Sequence, residues 1–191
     1  MKKRKISITI NSPVIISFVF ACFIVLLLGL LSGNWLVEKF FMTYRSSLSN
    51  PLTYLRMFTH VLGHSGWAHF IGNVSYILLL GPMLEEKYGG KKIVEIILIT
   101  AFVTAIMNMI IFSNVALCGA SGIVFAFILM TSFTGFKQGE IPLTFILVAV
   151  IFIGQQVWEG LFVNNNISNL SHILGGIVGA IAGYNLNMKR R

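Results

Sequence analysis

The stretch CGASGIVFAFILMTSFTGF, residues 118–136, decides how this chain is read. It is too long for an ordinary strand and matches a bilayer-crossing helix, which needs roughly 20 apolar residues. Its opening is less ordinary. Gly119-Ala120-Ser121-Gly122 sets a hydroxyl among small residues where the apolar run begins. Five further runs of similar length accompany it, at residues 14–31, 68–84, 93–112, 141–158 and 170–186.

Composition agrees with that count. Of 191 residues, 56% are hydrophobic and 10% charged, whereas a soluble domain carries about 25% charged residues. Lipid is therefore the main solvent, and little length is left for a soluble second domain. The expectation is an all-α integral membrane protein, a single domain over residues 1–191, built as a six-helix transmembrane bundle. The first run exceeds a signal-peptide core in length, and Leu31-Ser32-Gly33-Asn34 is a poor cleavage site, so it is read as the first span.

The formal net charge of +8 is concentrated at Lys2 to Lys5, Lys87 to Lys92 and Lys189 to Arg191. Cations beside apolar runs mark cytoplasmic segments, which makes lipid rather than nucleic acid the partner of this charge. Both termini, the connection 85–92 and the connection 136–140 then fall on the cytoplasmic side. The simplest setting is a bacterial inner membrane. Residues 32–67 form an outer loop that mixes Trp35, Phe40, Tyr44, Tyr54 and Phe58 with Arg45 and Arg56. Such a loop suits the headgroup region, and Asn50-Pro51 reads as a helix start inside it.

This topology groups the polar residues. Runs two, four and six enter from the outer side, so His69, Asn73, Ser121 and His172 share a depth in the outer half of the membrane. In run six, His172 is followed by Gly175, Gly176, Gly179 and Gly183, a stripe that admits a close helix neighbour. Gly119, Gly122 and Ala126 offer the matching surface. If the stripes meet, Ser121 and His172 come within hydrogen-bond reach.

That pairing has a chemical meaning. A serine hydroxyl is a weak nucleophile until a base takes its proton, and neutral imidazole is such a base. The helix start at Ser121 presents backbone N–H groups to a developing oxyanion. Asn73 shares a helix face with His69, four residues earlier; its side-chain N–H can supply a further donor, and a polar pair inside a membrane needs a reason. The chain contains no Asp, so a Ser-His dyad is expected, with His172 oriented by packing. The blander readings are a pure packing motif for the glycines and interhelical hydrogen bonding for His69 and Asn73.

His60 and His64 lack acidic or thiol neighbours and are read as structural, and the two cysteines, Cys22 and Cys118, offer no disulfide framework or metal spacing. No metal or cofactor is expected. Asn169 or Ser168 is read as the cap of the sixth run.

In this order the residues resemble the rhomboid intramembrane serine proteases, especially their compact six-span bacterial form. The likeness runs over residues 52–184. It includes Arg56-Met57-Phe58-Thr59-His60 with His64, then His69 and Asn73, Gly81 followed by Glu85, Gly119-Ala120-Ser121-Gly122, and His172 with Gly175 and Gly179. The resemblance implies Ser121 as nucleophile and His172 as base. It implies an oxyanion hole of His69, Asn73 and the Ser121 backbone N–H. It implies an aromatic neighbour of the imidazole at Phe125, where some relatives carry Tyr. Leu55 stands where many relatives have Trp. The implied substrates are transmembrane segments of other proteins, cleaved near their outer ends, with run five and residues 160–168 as gate and cap. Two other function classes compete. One is a catalytically silent rhomboid-like protein that binds membrane clients, which usually lacks the Ser or the His. The other is a channel or small transporter, for which paired discontinuous repeats are expected and none is seen.

Overall fold

The computed structural model describes residues 9–135, 140–162 and 169–188. The cationic segments at 2–5 and 189–191, most of the connection 136–140, and most of the expected cap at 160–168 lie outside the described residues. Among the described residues the chain is helical with no strand. A single isolated bridge pairs Thr43 with Leu117. The long helices are α1 (Pro13–Leu31), α4 (Trp67–Tyr88), α5 (Gly90–Ile111), α7 (Leu143–Phe162) and α8 (Asn169–Met188); the short ones are α2 (Trp35–Phe40), α3 (Pro51–Thr59) and α6 (Ser121–Thr131).

Four helices, α1, α4, α5 and α7, are long and apolar enough to cross a membrane. Their outward faces carry large apolar side chains such as Phe20, Leu79, Ile99 and Ile151, as a lipid-solvated surface requires. α8 has 20 residues, but its glycines, asparagines and His172 dilute its apolar character. The fourth run is helical over a shorter extent than 118–136. At about 1.5 Å per residue, the 11 residues of α6 cover roughly half of a hydrocarbon layer about 30 Å thick.

α6 lies at the centre. Gly122, Ile123, Val124 and every residue from Ala126 to Met130 are buried. Around them the core gathers Ile15 of α1, Ile77 and Leu84 of α4, and Ile93, Ile96 and Ala101 of α5. The tightest contact is with α8. A Cβ at Gly175 would overlap the carbonyl oxygen of Gly122, and one at Gly179 would overlap that of Ala126. The two backbones therefore touch, which only glycine at these positions allows.

Long-range groups finish what local sequence leaves open. The Glu85 carboxylate of α4 accepts from the backbone N–H of Val14 and of Ile15, each at 3.0 Å. It thereby caps α1, meeting orphan donors with a charge that suits the helix dipole. The expected connection 85–92 is almost wholly helical. Only Gly89 separates α4 from α5, and its φ of +86° favours glycine.

The outer loop is folded rather than extended. Asn50 caps α3 by accepting from Leu52 N–H at 3.0 Å, with Pro51 in the first turn. Buried Arg56 donates from Nε to the Lys39 carbonyl at 2.8 Å and lies 4.6 Å from the Tyr44 ring centre. Thr59 donates to the Phe40 carbonyl. Arg45 donates to the carbonyls of Met109 and Ile110 at the end of α5, where a cation suits the dipole. The Leu55 side chain is exposed.

Substituting Gly175 or Gly179 by Ala is expected to lower stability by about 1–3 kcal/mol or more, because the new methyl meets backbone. Gly72→Ala, where a Cβ meets open space on α4, is expected to be neutral or stabilising by up to about 1 kcal/mol. Unfolding of the purified variants in detergent measures both.

Candidate functional site

Ser121 is the first residue of α6, partly exposed, with Ala120 before it as cap. Its own N–H is among the first four of the helix, which have no intrahelical acceptor. Gly119 stands two residues earlier with φ +118°, a conformation that L side chains rarely adopt. A Cβ there would also lie 2.5 Å from His69 Nε2 and 3.5 Å from Asn73 Nδ2. The glycine thus brings the start of α6 directly against two polar side chains of α4.

Several backbone groups of the irregular segment leading into α6 are paired. Thr43 and Leu117 exchange N–H···O bonds of 2.9 and 2.8 Å. Gly119 N–H donates to the His60 carbonyl at 2.9 Å, and Asn108 Nδ2 donates to the Val115 carbonyl at 2.9 Å. Non-helical backbone at membrane depth is tolerated only when satisfied in this way.

The four expected site residues fall on two sides of the start of α6. On one side, His69 and Asn73 of α4 meet Gly119. His69 Nδ1 lies 3.2 Å from the Ser65 hydroxyl. With that hydroxyl donating, the ring proton sits on Nε2, the atom beside Gly119. Asn73 is buried, and its Nδ2 has no partner among the described residues. A buried unpaired donor costs about 1–3 kcal/mol, a cost that a ligand oxygen would remove.

On the other side, the His172 ring lies on that of Phe125, centroids 4.5 Å apart and planes 6° from parallel. Phe125 is one helical turn after Ser121, so α6 carries both the hydroxyl and the surface on which the imidazole rests. Gly122 touches the Ser171 carbonyl region and Gly175 through close backbone approach. No hydrogen bond joins Ser121 to His172 among the described residues. Catalytic hydrogen bonds are often long before substrate arrives. The bond His172 does make runs from Nδ1 to Gln156 Oε1, at 2.6 Å.

Gln156 is the residue that sequence reasoning missed. The expectation was an imidazole oriented by packing alone. The available signal was an amide inside an apolar run, which membranes disfavour without a partner. Glu159, the acidic residue nearest in sequence, instead accepts from Gln155 Nε2 at 2.8 Å.

The loop histidines differ from one another. His60 is fully engaged: Nδ1 donates to the Arg56 carbonyl at 3.1 Å, Nε2 is 3.3 Å from the Thr104 hydroxyl, and burial pushes its pKa below the ordinary imidazole range. His64 donates from Nδ1 to the Leu62 carbonyl at 3.1 Å and packs edge-on to His69, while its buried Nε2 has no partner among the described residues. No group of three or more His, Cys, Asp or Glu side chains able to hold a metal occurs among the described residues. Asn169 is the first residue of α8, its Oδ1 buried without a partner among the described residues, so it shows no capping bond. Ser168 and the other residues from 163 onward of the expected cap at 160–168 lie outside the described residues. A cavity of about 550 Å³ opens between α4, α6 and α7, lined by Tyr76, Leu80, Ile128, Thr131, Pro142 and Phe152. It lies towards the far end of α6 from Ser121, and none of the four expected site side chains lines it.

The model of the Rhomboid domain family matches residues 51–189. Rhomboid-related protein 1 of Caenorhabditis elegans is 30% identical over 138 residues, covering 68% of this chain and 39% of that protein. Rhomboid-related protein 2 of Mus musculus is 28% identical, covering 78% and 57%. Rhomboid protease GlpG of Haemophilus influenzae is 26% identical, covering 68% of each. The chain therefore spans about two-fifths to two-thirds of the length of these relatives.

Gly119→Ala is expected to destabilise the protein by about 1–3 kcal/mol, from the positive φ and from contact with His69 together. Thermal unfolding in detergent measures it, and a midpoint equal to that of the unsubstituted chain contradicts this account of the α4–α6 contact.

Proposed function

This chain belongs to the rhomboid family, and from that membership and the site geometry we propose an intramembrane serine endopeptidase acting on transmembrane segments of other proteins. The observation that carries the reading is the stacking of His172 on Phe125, one turn after Ser121 at the start of the same helix. It sets a base beside the partly exposed start of a largely buried helix. A packing motif alone gives no reason for a hydroxyl there.

The proposed reaction uses only groups of this chain, substrate and water. Ser121 Oγ attacks the scissile carbonyl carbon as His172 Nε2 takes the hydroxyl proton. The carbonyl oxygen becomes an oxyanion and accepts from Asn73 Nδ2, His69 Nε2 and the Ser121 N–H. Collapse breaks the C–N bond, and His172 returns its proton to the leaving amine. Water then attacks the acyl-enzyme with His172 again as base, releasing the acid and restoring Ser121.

The substrate peptide bond must leave its own helix to reach Ser121, which glycine or proline near the cleavage point eases. The cationic connection around Lys87, Lys91 and Lys92 supports a cytoplasmic placement for that end of α4 and α5. Ser121 is then on the outer side. A bacterial inner membrane with both termini cytoplasmic is the proposed setting.

A fluorophosphonate probe is expected to label the wild-type chain and leave Ser121→Ala unlabelled; equal labelling of the two contradicts the assignment. In a cleavage assay with a panel of single-span proteins, Asn73→Ala is expected to lower kcat by about 10²–10³ with little change in KM. Unchanged kcat would remove Asn73 from the oxyanion site.

A further inference from the structure

α7 is apolar along most of its length, and Gln156 is its only buried residue, 5% exposed. A buried amide in such a helix needs a partner. Its Oε1 reaches across to α8 and lies 2.6 Å from His172 Nδ1. An amide oxygen can only accept, so the imidazole proton at this contact sits on Nδ1. Nε2 is then unprotonated and available as a base. Phe125, stacked 4.5 Å away on the ring face, limits tilting of the same ring. Two contacts at right angles, one in the ring plane and one on its face, define the imidazole's orientation.

We propose that Gln156 is the positioning residue for His172: its amide oxygen selects the Nδ1–H tautomer and aims Nε2 towards Ser121. The assignment rests on the reading of the chain as a serine protease, and it replaces packing alone with a specific acceptor. A neutral acceptor suits the place. A carboxylate at the same point carries a desolvation cost of several kcal/mol, whereas an amide orients the ring without a buried charge. The titratable groups that act electrostatically on His172 are Glu159 on its neighbour α7 and His69 on α4. Neither bonds to it. Glu159 is held by Gln155, and His69 by Ser65.

The test uses the full chain in detergent micelles or liposomes. Gln156→Met keeps the side-chain length and removes the acceptor. Gln156→Glu keeps an acceptor, and Glu159→Gln is the control. Selective ¹⁵N labelling of the four histidines, with His172→Ala to assign the signal, reads the tautomer without turnover. The wild type and Gln156→Glu are expected to hold His172 as the Nδ1–H form, and Gln156→Met to give a mixture. Cleavage by Gln156→Met is expected to fall about ten- to a hundredfold in kcat with KM little changed. Gln156→Glu, which keeps an acceptor at the cost of a buried carboxylate, is expected to retain more of it than Gln156→Met, and Glu159→Gln, which removes a charge but no bond to His172, changes it far less than Gln156→Met. A wild type that holds the Nδ1–H tautomer, loses it in Gln156→Met and yet cleaves nothing defeats the protease reading while the contact stands. Unchanged tautomer and unchanged kcat in Gln156→Met overturn the positioning role. If Gln156→Met does not fold, a tautomer mixture in folded Gln156→Glu overturns it, and a retained Nδ1–H form supports it.

Discussion

Direct contact between the backbones of α6 and α8 is the constraint on which the site depends. Helices normally stand 8–10 Å apart because side chains separate them. At Gly175 and Gly179 there is no room even for a methyl group, since the carbonyls of Gly122 and Ala126 occupy that space. In lipid, where no hydrophobic force drives helices together, such packing is itself a source of association. It also sets a register. Once Gly175 faces Gly122, His172 lies one turn away along α8, at the level of Ser121 and Phe125, and the stacked rings follow from that alignment.

A short central helix makes a second demand. α6 cannot cross the hydrocarbon layer alone, so the chain before it runs as irregular backbone at depth. The outer loop meets that need. Leu117 pairs with Thr43, and Gly119 with the His60 carbonyl. His60 is held in turn by Arg56 and Thr104, and Arg56 fastens α3 to the last turn of α2. The aromatic, partly charged composition of the loop reads as interfacial, but its structural work is to satisfy the backbone that carries Ser121.

The polar side chains around the proposed site are neutral or able to be so. Asn73, Gln156, Ser65 and the histidines supply donors and acceptors without a buried charge, in a chain that contains no Asp. The buried carboxylate of Glu85 is elsewhere, at the start of α1, where two backbone N–H groups meet it. This division matches the cost of ions in a low-dielectric setting. It also separates a group that stabilises the fold from groups left free to meet a substrate.

Some of this was legible in the sequence, because it rests on period and composition. Apolar runs of bilayer length declare helices, and Gly-x-x-x-Gly after His172 declares a face for close approach. The spacing of His69 and Asn73 places both on one side of α4. Each of these is a local property, settled by 3.6 residues per turn and by what each side chain carries. What lies across space was not legible. Gln156 reads as one more polar residue in an apolar run until α7 is set against α8, since Gln155 beside it has the same chemistry and a different partner. The Glu85 cap on α1 joins residues about 70 positions apart. The early end of α6 depends on turns and neighbours that hydropathy does not register. Period and composition determine which face of a helix is apolar and which residues share it; only packing decides which two faces meet, at what register, and therefore which donor finds which acceptor.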